Sequence, residues 1–214
     1  MIVVVCPPTP LLVDVFDPHQ QADLAELRSA ALAAVRTLTE SRPSRLTVVA
    51  ADVRGEHDAA AGGTLAPFGV NVRAGGPDDV LPLDATVGAW LLDAVGWTGE
   101  RRYVGVDGIS GLDDAVLVLA DGTICRTERA PGHFDPRAAD EDTAVAKALA
   151  EGDAAALADL DGDLAADLGM SGHAGLVALG RAVMGRGSTH LSSRLRYDAA
   201  PLGVGYWVAE WQVG

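Results

Sequence analysis

Cysteine is scarce in this sequence, and the familiar functional motifs are missing from it. Only two cysteines occur among 214 residues, which excludes a disulfide framework and a four-cysteine zinc site. There is no glycine-rich phosphate-binding loop, no dinucleotide-binding fingerprint, no nucleophile-elbow serine and no His-Glu-x-x-His sequence. No motif therefore assigns an activity by itself.

Positive charge is also in short supply, and this restricts the class of binding partner. The chain has 30 acidic and 16 basic residues, a formal charge of -14, and its longest basic run is Arg101-Arg102. Binding to nucleic acid or to an anionic membrane surface requires a basic face. We therefore expect neither partner.

Long apolar segments are absent as well. Nowhere do the roughly eighteen consecutive apolar residues of a membrane-spanning helix occur, and the amino terminus lacks the basic region of a signal peptide. Hydrophobic residues make up 49% and charged residues 21% of the chain, an ordinary globular balance. We expect a cytoplasmic protein with one domain spanning residues 1–214.

What is present is an alternation of buried strands and amphipathic helices. Apolar runs predict strands at 2–6, 46–51, 103–106 and 115–120, a short edge strand or hairpin arm at 68–72, and closing strands at 189–197 and 204–212. Helical patterns occur at 20–41, from 84, from 135 to about 151, at 163–168 and at 173–184. We predict an α/β fold with a single three-layer domain, in which helices flank a mixed, mostly parallel central sheet that ends in a C-terminal antiparallel strand pair.

The most polar loop follows the strand at 115–120 and ends at the helix-start signal Asp135-Pro136. In open α/β sheets, ligands bind at the carboxyl ends of the strands. We therefore predict a ligand-binding crevice here, formed by Cys6 after the first strand together with Asp121, Arg126, Glu128 and Arg129. The alternative is a solvated loop whose arginine and glutamate side chains pair with each other.

Two kinds of catalytic site are open from the residues alone. His57 and His133 both follow predicted strands, and with a carboxylate such as Asp135 they would supply the two histidines and one acid of a mononuclear metal site. Cys125 is a candidate nucleophile because Arg126 beside it would lower its pKa. Arg126, His133 and Cys125 are thus the catalytic candidates and His57 the candidate metal ligand. Buried structural cysteine and exposed surface histidine are the alternatives.

Three segments of the sequence resemble a known family. They are Cys6-Pro7-Pro8-Thr9-Pro10-Leu11-Leu12-Val13, the loop from Asp121 to His133, and the segment from Tyr197 to Tyr206. They resemble a small actinobacterial family grouped with the superfamily of class III extradiol ring-cleavage dioxygenases. The resemblance covers essentially the whole chain and implies a single α/β domain. It also implies Fe(II) held by two histidines and a glutamate, a catecholate substrate, and a further histidine as acid/base.

Most residues that this resemblance requires are replaced. Pro8 stands nearest to the position of the first histidine ligand, and His57 is the match for the second. Arg126 takes the place of the acid/base histidine, and Ser171-Gly172-His173 stands where the glutamate belongs. The resemblance therefore implies a dioxygenase-like protein with a degenerate metal site. Such a protein would bind a small aromatic or anionic ligand, with Arg126 and Arg129 contacting an anionic group.

Two other hypotheses are open. The first is an active ring-cleavage enzyme with a non-standard ligand set such as His57, His133 and Asp135. The second is a non-catalytic interaction or assembly module. In that case the predicted strand that contains Trp207 and Trp211 would pair between the protomers of a homo-oligomer, if it lies at a sheet edge.

Overall fold

The computed structural model describes residues 1–16, 21–109, 114–187 and 191–214. His19, His190, the start of the helix predicted at 20–41 and the first two residues of the strand predicted at 189–197 lie outside these ranges. Within the described ranges, no helix is long and apolar enough to cross a membrane.

A seven-stranded mixed sheet forms the centre of the fold, and a three-stranded sheet lies beside it. The strands are β1 (Ile2–Cys6), β2 (Arg45–Val49), β3 (Glu56–His57), β4 (Ala61–Thr64), β5 (Arg73–Gly75), β6 (Asp78–Asp79), β7 (Glu100–Val104), β8 (Ala115–Leu119), β9 (Leu191–Ala199) and β10 (Tyr206–Val213). The helices are α1 (Ala22–Glu40), α2 (Leu83–Ala94), α3 (Arg137–Glu151), α4 (Ala154–Ala158), α5 (Gly162–Asp167) and α6 (His173–Gly185).

The strand order of the large sheet is β3-β7-β2-β8-β1-β10-β9. β7, β2, β8 and β1 run parallel, whereas β3 and β10 are antiparallel to their neighbours and β9 is antiparallel to β10. The predicted mixed sheet with a closing antiparallel pair is therefore confirmed. β10 is paired on both sides, so Trp207 and Trp211 are not on an edge strand and cannot form the contact between protomers considered above.

Each face of the large sheet buries its own apolar core, because successive strand residues point to opposite faces. Val4 and Cys6 pack beneath α1 and α2. Val3 and Val5 pack on the other side, in the core formed with α3, α4 and α6. Because β8 is covered on both faces, it is buried along its whole length, and its sequence is a continuous apolar run. The result is the predicted arrangement of helices on both faces of a sheet.

The segment predicted as a strand at 68–72 folds differently. Ala66–Phe68 is a 3-10 turn that has Pro67 in its first positions, and Gly69 ends the turn with a φ of 83°. The strand begins later, at β5, which pairs with β4 in the three-stranded sheet over α2. Proline and a left-handed glycine therefore outweigh the alternating apolar pattern in this segment.

Candidate functional site

The three segments that carry the family resemblance meet at the carboxyl ends of β1 and β8. The Gly122 amide donates to the Gly205 carbonyl at 2.7 Å, and the Gly205 amide donates to the Thr123 carbonyl at 2.9 Å. The Tyr206 hydroxyl lies 3.4 Å from Thr9 Oγ1. We call this unit the β1–β8 corner, formed by residues 6–13, 121–135 and 197–206.

Asp142 of α3 is the centre of the hydrogen bonding in the β1–β8 corner. It is 1% exposed, and its carboxylate accepts from the Thr123 amide at 2.9 Å, the Thr123 hydroxyl at 3.1 Å and Arg126 Nη1 at 2.8 Å. A buried carboxylate needs such partners to offset its lost hydration. A Cβ at Gly122 or Gly205 would overlap the Asp142 carboxylate, so glycine at both positions leaves room for it.

The contact with Asp142 gives Arg126 a structural partner. The Arg126 side chain is 26% exposed, and it also lies near Asp198. Burial raises the pKa of the Asp198 carboxyl, and the charge of Arg126 opposes that rise. An anionic ligand at Arg126 would compete with a carboxylate that the fold already supplies. Glu128 and Arg129 are exposed on the same loop.

The two cysteines lie in separate parts of the core. Cys6 is fully buried beneath α1 and α2. Cys125 packs with Ala138 and Leu168, and its thiol is 3.5 Å from the Leu168 carbonyl oxygen. Burial raises the pKa of both thiols, whereas a nucleophilic cysteine needs a lowered pKa. The structure thus does not bring Cys6 and Cys125 into one crevice.

The histidines and carboxylates proposed for a metal site are dispersed. His57 lies on β3, at the sheet edge beyond β7, with Nε2 at 3.1 Å from the Arg54 carbonyl oxygen. His133 is exposed on the central loop, and Asp135 pairs with Arg137 at 2.7 Å. Across the ranges that the structure describes, no group of three or more His, Cys, Asp or Glu side chains is arranged to hold a metal ion. These side chains therefore do not fit the two-histidine, one-carboxylate set that Fe(II) requires in the family.

Asp121 anchors the start of α6 to the end of β8. Ser171 Oγ donates to Asp121 Oδ1 at 2.5 Å. Burial raises the pKa of the Asp121 carboxyl, and hydrogen bonds from Ser171 and from the Gly172 backbone oppose the rise. A Cβ at Gly172 would overlap the Asp121 backbone, so glycine allows the close approach. The sequence shows both segments but not their contact, because 50 residues separate Asp121 from Ser171.

A cavity of about 420 Å³ opens further along the same edge of the sheet. It lies between the loop that follows β2 and the loop that follows β7. The Ala50 amide donates to the Val104 carbonyl at 3.0 Å and joins the two walls at their base. The lining combines charged side chains with apolar ones and glycines: Ala51, Val53, Arg54, Gly55, Glu56, Val104, Gly105, Val106, Asp107 and Gly108. We call it the β2–β7 cavity.

Arg54 and Asp107 of the β2–β7 cavity are not among the residues singled out from the sequence. Both follow strands that the sequence does predict, at 46–51 and 103–106, so their position after a strand end is the signal that could have found them. Asp84 holds one wall in place, because its Oδ2 accepts from the Asp52 amide at 2.8 Å. The helix predicted to begin at Asp84 starts one residue earlier, at Leu83, which puts that carboxylate in its first turn.

The fold and the site define the class of protein as a three-layer α/β protein with an open cavity at the carboxyl edge of its parallel strands. Neither a scan against protein-family models nor a search of curated proteins gives a match for this chain.

Proposed function

We propose that the protein is an extradiol-dioxygenase-like protein that binds a small molecule in the β2–β7 cavity and does not use the iron site of that family. The observation that carries the proposal is the cavity itself, about 420 Å³ at the carboxyl ends of two parallel strands. Small-molecule sites typically have volumes of about 300–1,000 Å³. The carboxyl edge is where open α/β sheets bind their ligands.

Ligand binding is assigned to the cavity because the charges of the β1–β8 corner already serve the fold. Arg126 is held by buried Asp142, so a ligand there would have to displace a charge-assisted hydrogen bond. In the cavity, Arg54 is exposed and donates to the Ala51 carbonyl at 3.2 Å. A ligand in the cavity would mainly replace water.

Binding is proposed rather than ring cleavage because the groups that cleavage would need are separated. His57 and His133 lie on different parts of the surface, and the Arg126 guanidinium stands where the resemblance places an acid/base histidine. Guanidinium stays protonated at any ordinary pH and cannot act as a base. The resemblance therefore supports a common fold and a common edge for binding, without a shared reaction.

The test is a small-molecule library screened by thermal shift, with hits measured by titration calorimetry. Ala51→Trp adds a bulky side chain to a residue that lines the cavity, and Ala144→Trp adds the same side chain at an exposed position of α3. We expect at least one compound that binds to the wild-type protein and to Ala144→Trp with the same affinity and does not bind to Ala51→Trp. Hits that bind equally to both variants, or the lack of any hit, would refute the proposed site.

A second measurement tests the statement about iron. The protein is incubated anaerobically with Fe(II), desalted and analysed for metal, alongside His57→Ala. We expect no retained iron in either sample. Stoichiometric iron that His57→Ala loses would refute the proposal and favour the ring-cleavage hypothesis.

A further inference from the structure

We propose that the protein forms a two-fold homodimer in which β9 pairs with β9 of a second copy, so that the two large sheets join into one. This surface lies at the end of the sheet opposite to β3, and the proposal does not depend on what the β2–β7 cavity binds. It follows from the outer edge of β9 and from the order of the residues along that edge.

The nine-residue strand β9 closes one end of the large sheet, with β10 on its inner side. Among the residues that the structure describes, no other strand pairs with β9, and no backbone hydrogen bond from a loop or helix ends on it. An edge strand presents a row of amide and carbonyl groups that can pair with another chain. The outer edge of β9 is therefore the first place to look for a partner strand.

The first five residues of β9, 191–195, form a regular strand that we call the open segment. They pair with β10 residue by residue, and the register shifts only afterwards, at Arg196. Sheet edges are protected by bulges, prolines and charged side chains. The open segment has no bulge and no proline, and Arg194 is its one charged residue. This part of the edge is therefore suited to pairing.

The side chains of the open segment alternate between the two faces of the sheet. Leu191 and Leu195 pack against the core beneath α3, α4 and α6. Ser193 points to the same face, and its Oγ donates to a backbone carbonyl of α3 at 2.5 Å. Ser192 and Arg194 share the other face and are exposed. A partner strand has to match the apolar side chains on one face and the arginine on the other.

A second copy of the open segment meets both requirements in one antiparallel register. With the two-fold axis at Ser193, Leu191 lies opposite Leu195 of the partner subunit. In the same register, Ser192 lies opposite Arg194 of the partner subunit, so no like charges meet. Side chains directly opposite each other have Cβ atoms about 4.5–5.5 Å apart, close enough for the apolar pairs to stabilise the joined sheet.

The neighbouring registers are disfavoured by charge. An axis at Arg194 sets the two copies of this arginine directly opposite each other. An axis at Leu195 sets Arg194 opposite Arg196 of the partner subunit. Like charges directly opposite each other destabilise a strand pair. The order of residues in the open segment therefore selects the register with its axis at Ser193.

The same geometry favours a closed dimer. A two-fold contact uses the same surface on both subunits and is complete with two copies. The strand at the other end of the described sheet, β3, has two residues, so it offers little edge for further pairing. The net charge of -14 opposes the association of two copies, but the open segment contains no acidic residue. Negative charge is thus kept out of the strand contact itself.

The first test is sedimentation velocity of the purified protein over a concentration range of about 1–100 μM. We expect a species with twice the mass of one chain, whose fraction rises with concentration. A monomer throughout this range would overturn the proposal.

Charge substitutions then test the register. Ser192→Arg sets two pairs of like charges opposite each other, so we expect the dimer to dissociate about tenfold more readily. Adding Arg194→Glu to that variant converts both pairs to opposite charges and should restore dimer formation. Ser44→Arg, at an exposed position before β2, is the matched control, and circular dichroism checks that each variant is folded. A dimer that is equally stable in every variant would overturn the proposal.

A cysteine at the axis gives a readout that does not depend on charge. Ser193→Cys sets two thiols opposite each other, with Cα atoms about 4.5–5.5 Å apart, a distance that a disulfide can bridge. The native thiols of Cys6 and Cys125 are buried, so they do not compete. We expect mild oxidation to link Ser193→Cys into a covalent dimer faster than Ser44→Cys. A dimeric protein that Ser193→Cys does not link would have its interface elsewhere, and the proposal would be wrong.

Discussion

Replacing Asp142 by alanine is expected to lower the free energy of unfolding by about 3 kcal/mol. The amide and hydroxyl of Thr123 donate to this carboxylate, and Thr123 is fully buried. A buried donor left without a partner costs about 1–3 kcal/mol. Arg126 also loses its partner, but its side chain is 26% exposed and can reach water, so its share is small.

Urea unfolding followed by far-ultraviolet circular dichroism measures this loss. Asp142→Asn keeps the shape of the side chain and one acceptor oxygen, so we expect an intermediate loss of about 2 kcal/mol. Asp140 lies on the exposed side of the same helix, so Asp140→Ala should change the free energy of unfolding by less than about 0.5 kcal/mol. An Asp142→Ala protein within about 0.5 kcal/mol of wild type, with an unchanged urea slope, would refute the structural role of this carboxylate.

Arg126 gives the complementary test of the same contact. Truncation to alanine leaves Asp142 with its Thr123 donors but without a countercharge, so we expect a loss of about 2 kcal/mol. The double variant should lose less than the sum of the two single changes, because each removes the same ion pair. A ligand-binding Arg126 without a role in the fold would instead leave stability unchanged when it is removed.

Three further predictions concern other parts of the β1–β8 corner. Gly205→Ala should destabilise the protein because its methyl group would overlap Asp142. In the Asp142→Ala background space is available, so urea unfolding should show a smaller loss of stability from the same substitution. Equal losses in the two backgrounds would contradict this prediction. Burial raises the pKa of Asp121, so its ionisation opposes folding as the pH rises above about 4. Asp121→Asn should therefore gain stability relative to wild type as the pH rises above about 4, whereas a pH-independent difference would count against this prediction. The thiols of Cys6 and Cys125 should not react with Ellman's reagent at neutral pH in the native protein and should both react in urea, and a native thiol that reacts at once would show that its burial is incomplete.

The fold follows closely from the apolar pattern of the sequence. The strand predicted at 2–6 coincides with β1, and the helix predicted at 20–41 is observed at Ala22–Glu40. Both predictions are confirmed because an element that is buried on one or two faces has a recognisable pattern of apolar residues in the sequence. The strand prediction at 68–72 is wrong because Pro67 and Gly69 fix the local backbone as a turn, although the apolar residues alternate.

The partners within the β1–β8 corner are harder to predict than its position. The strand order places the polar loop at a carboxyl edge, but Arg126 finds its partner 16 residues later, in the next helix. Asp140, Glu141 and Asp142 are adjacent acids that look equivalent in the sequence. The signal that distinguishes them is helical phase, because Asp142 lies on the same buried stripe as Ala138 and Val145. A carboxylate on an apolar helix face requires a buried partner, and the nearest polar loop supplies it.

Burial, more than residue type, separates the two polar regions at this edge of the sheet. Asp142 is 1% exposed and has three donors, so its charge is compensated before any ligand arrives. Arg54 is exposed at the wall of the β2–β7 cavity, where the proposed ligand would mainly replace water. A polar loop after a strand end therefore does not by itself identify a binding site. When its charges neutralise a buried group of the fold, a ligand site has to be sought on another loop, and for this reason we propose the site in the β2–β7 cavity.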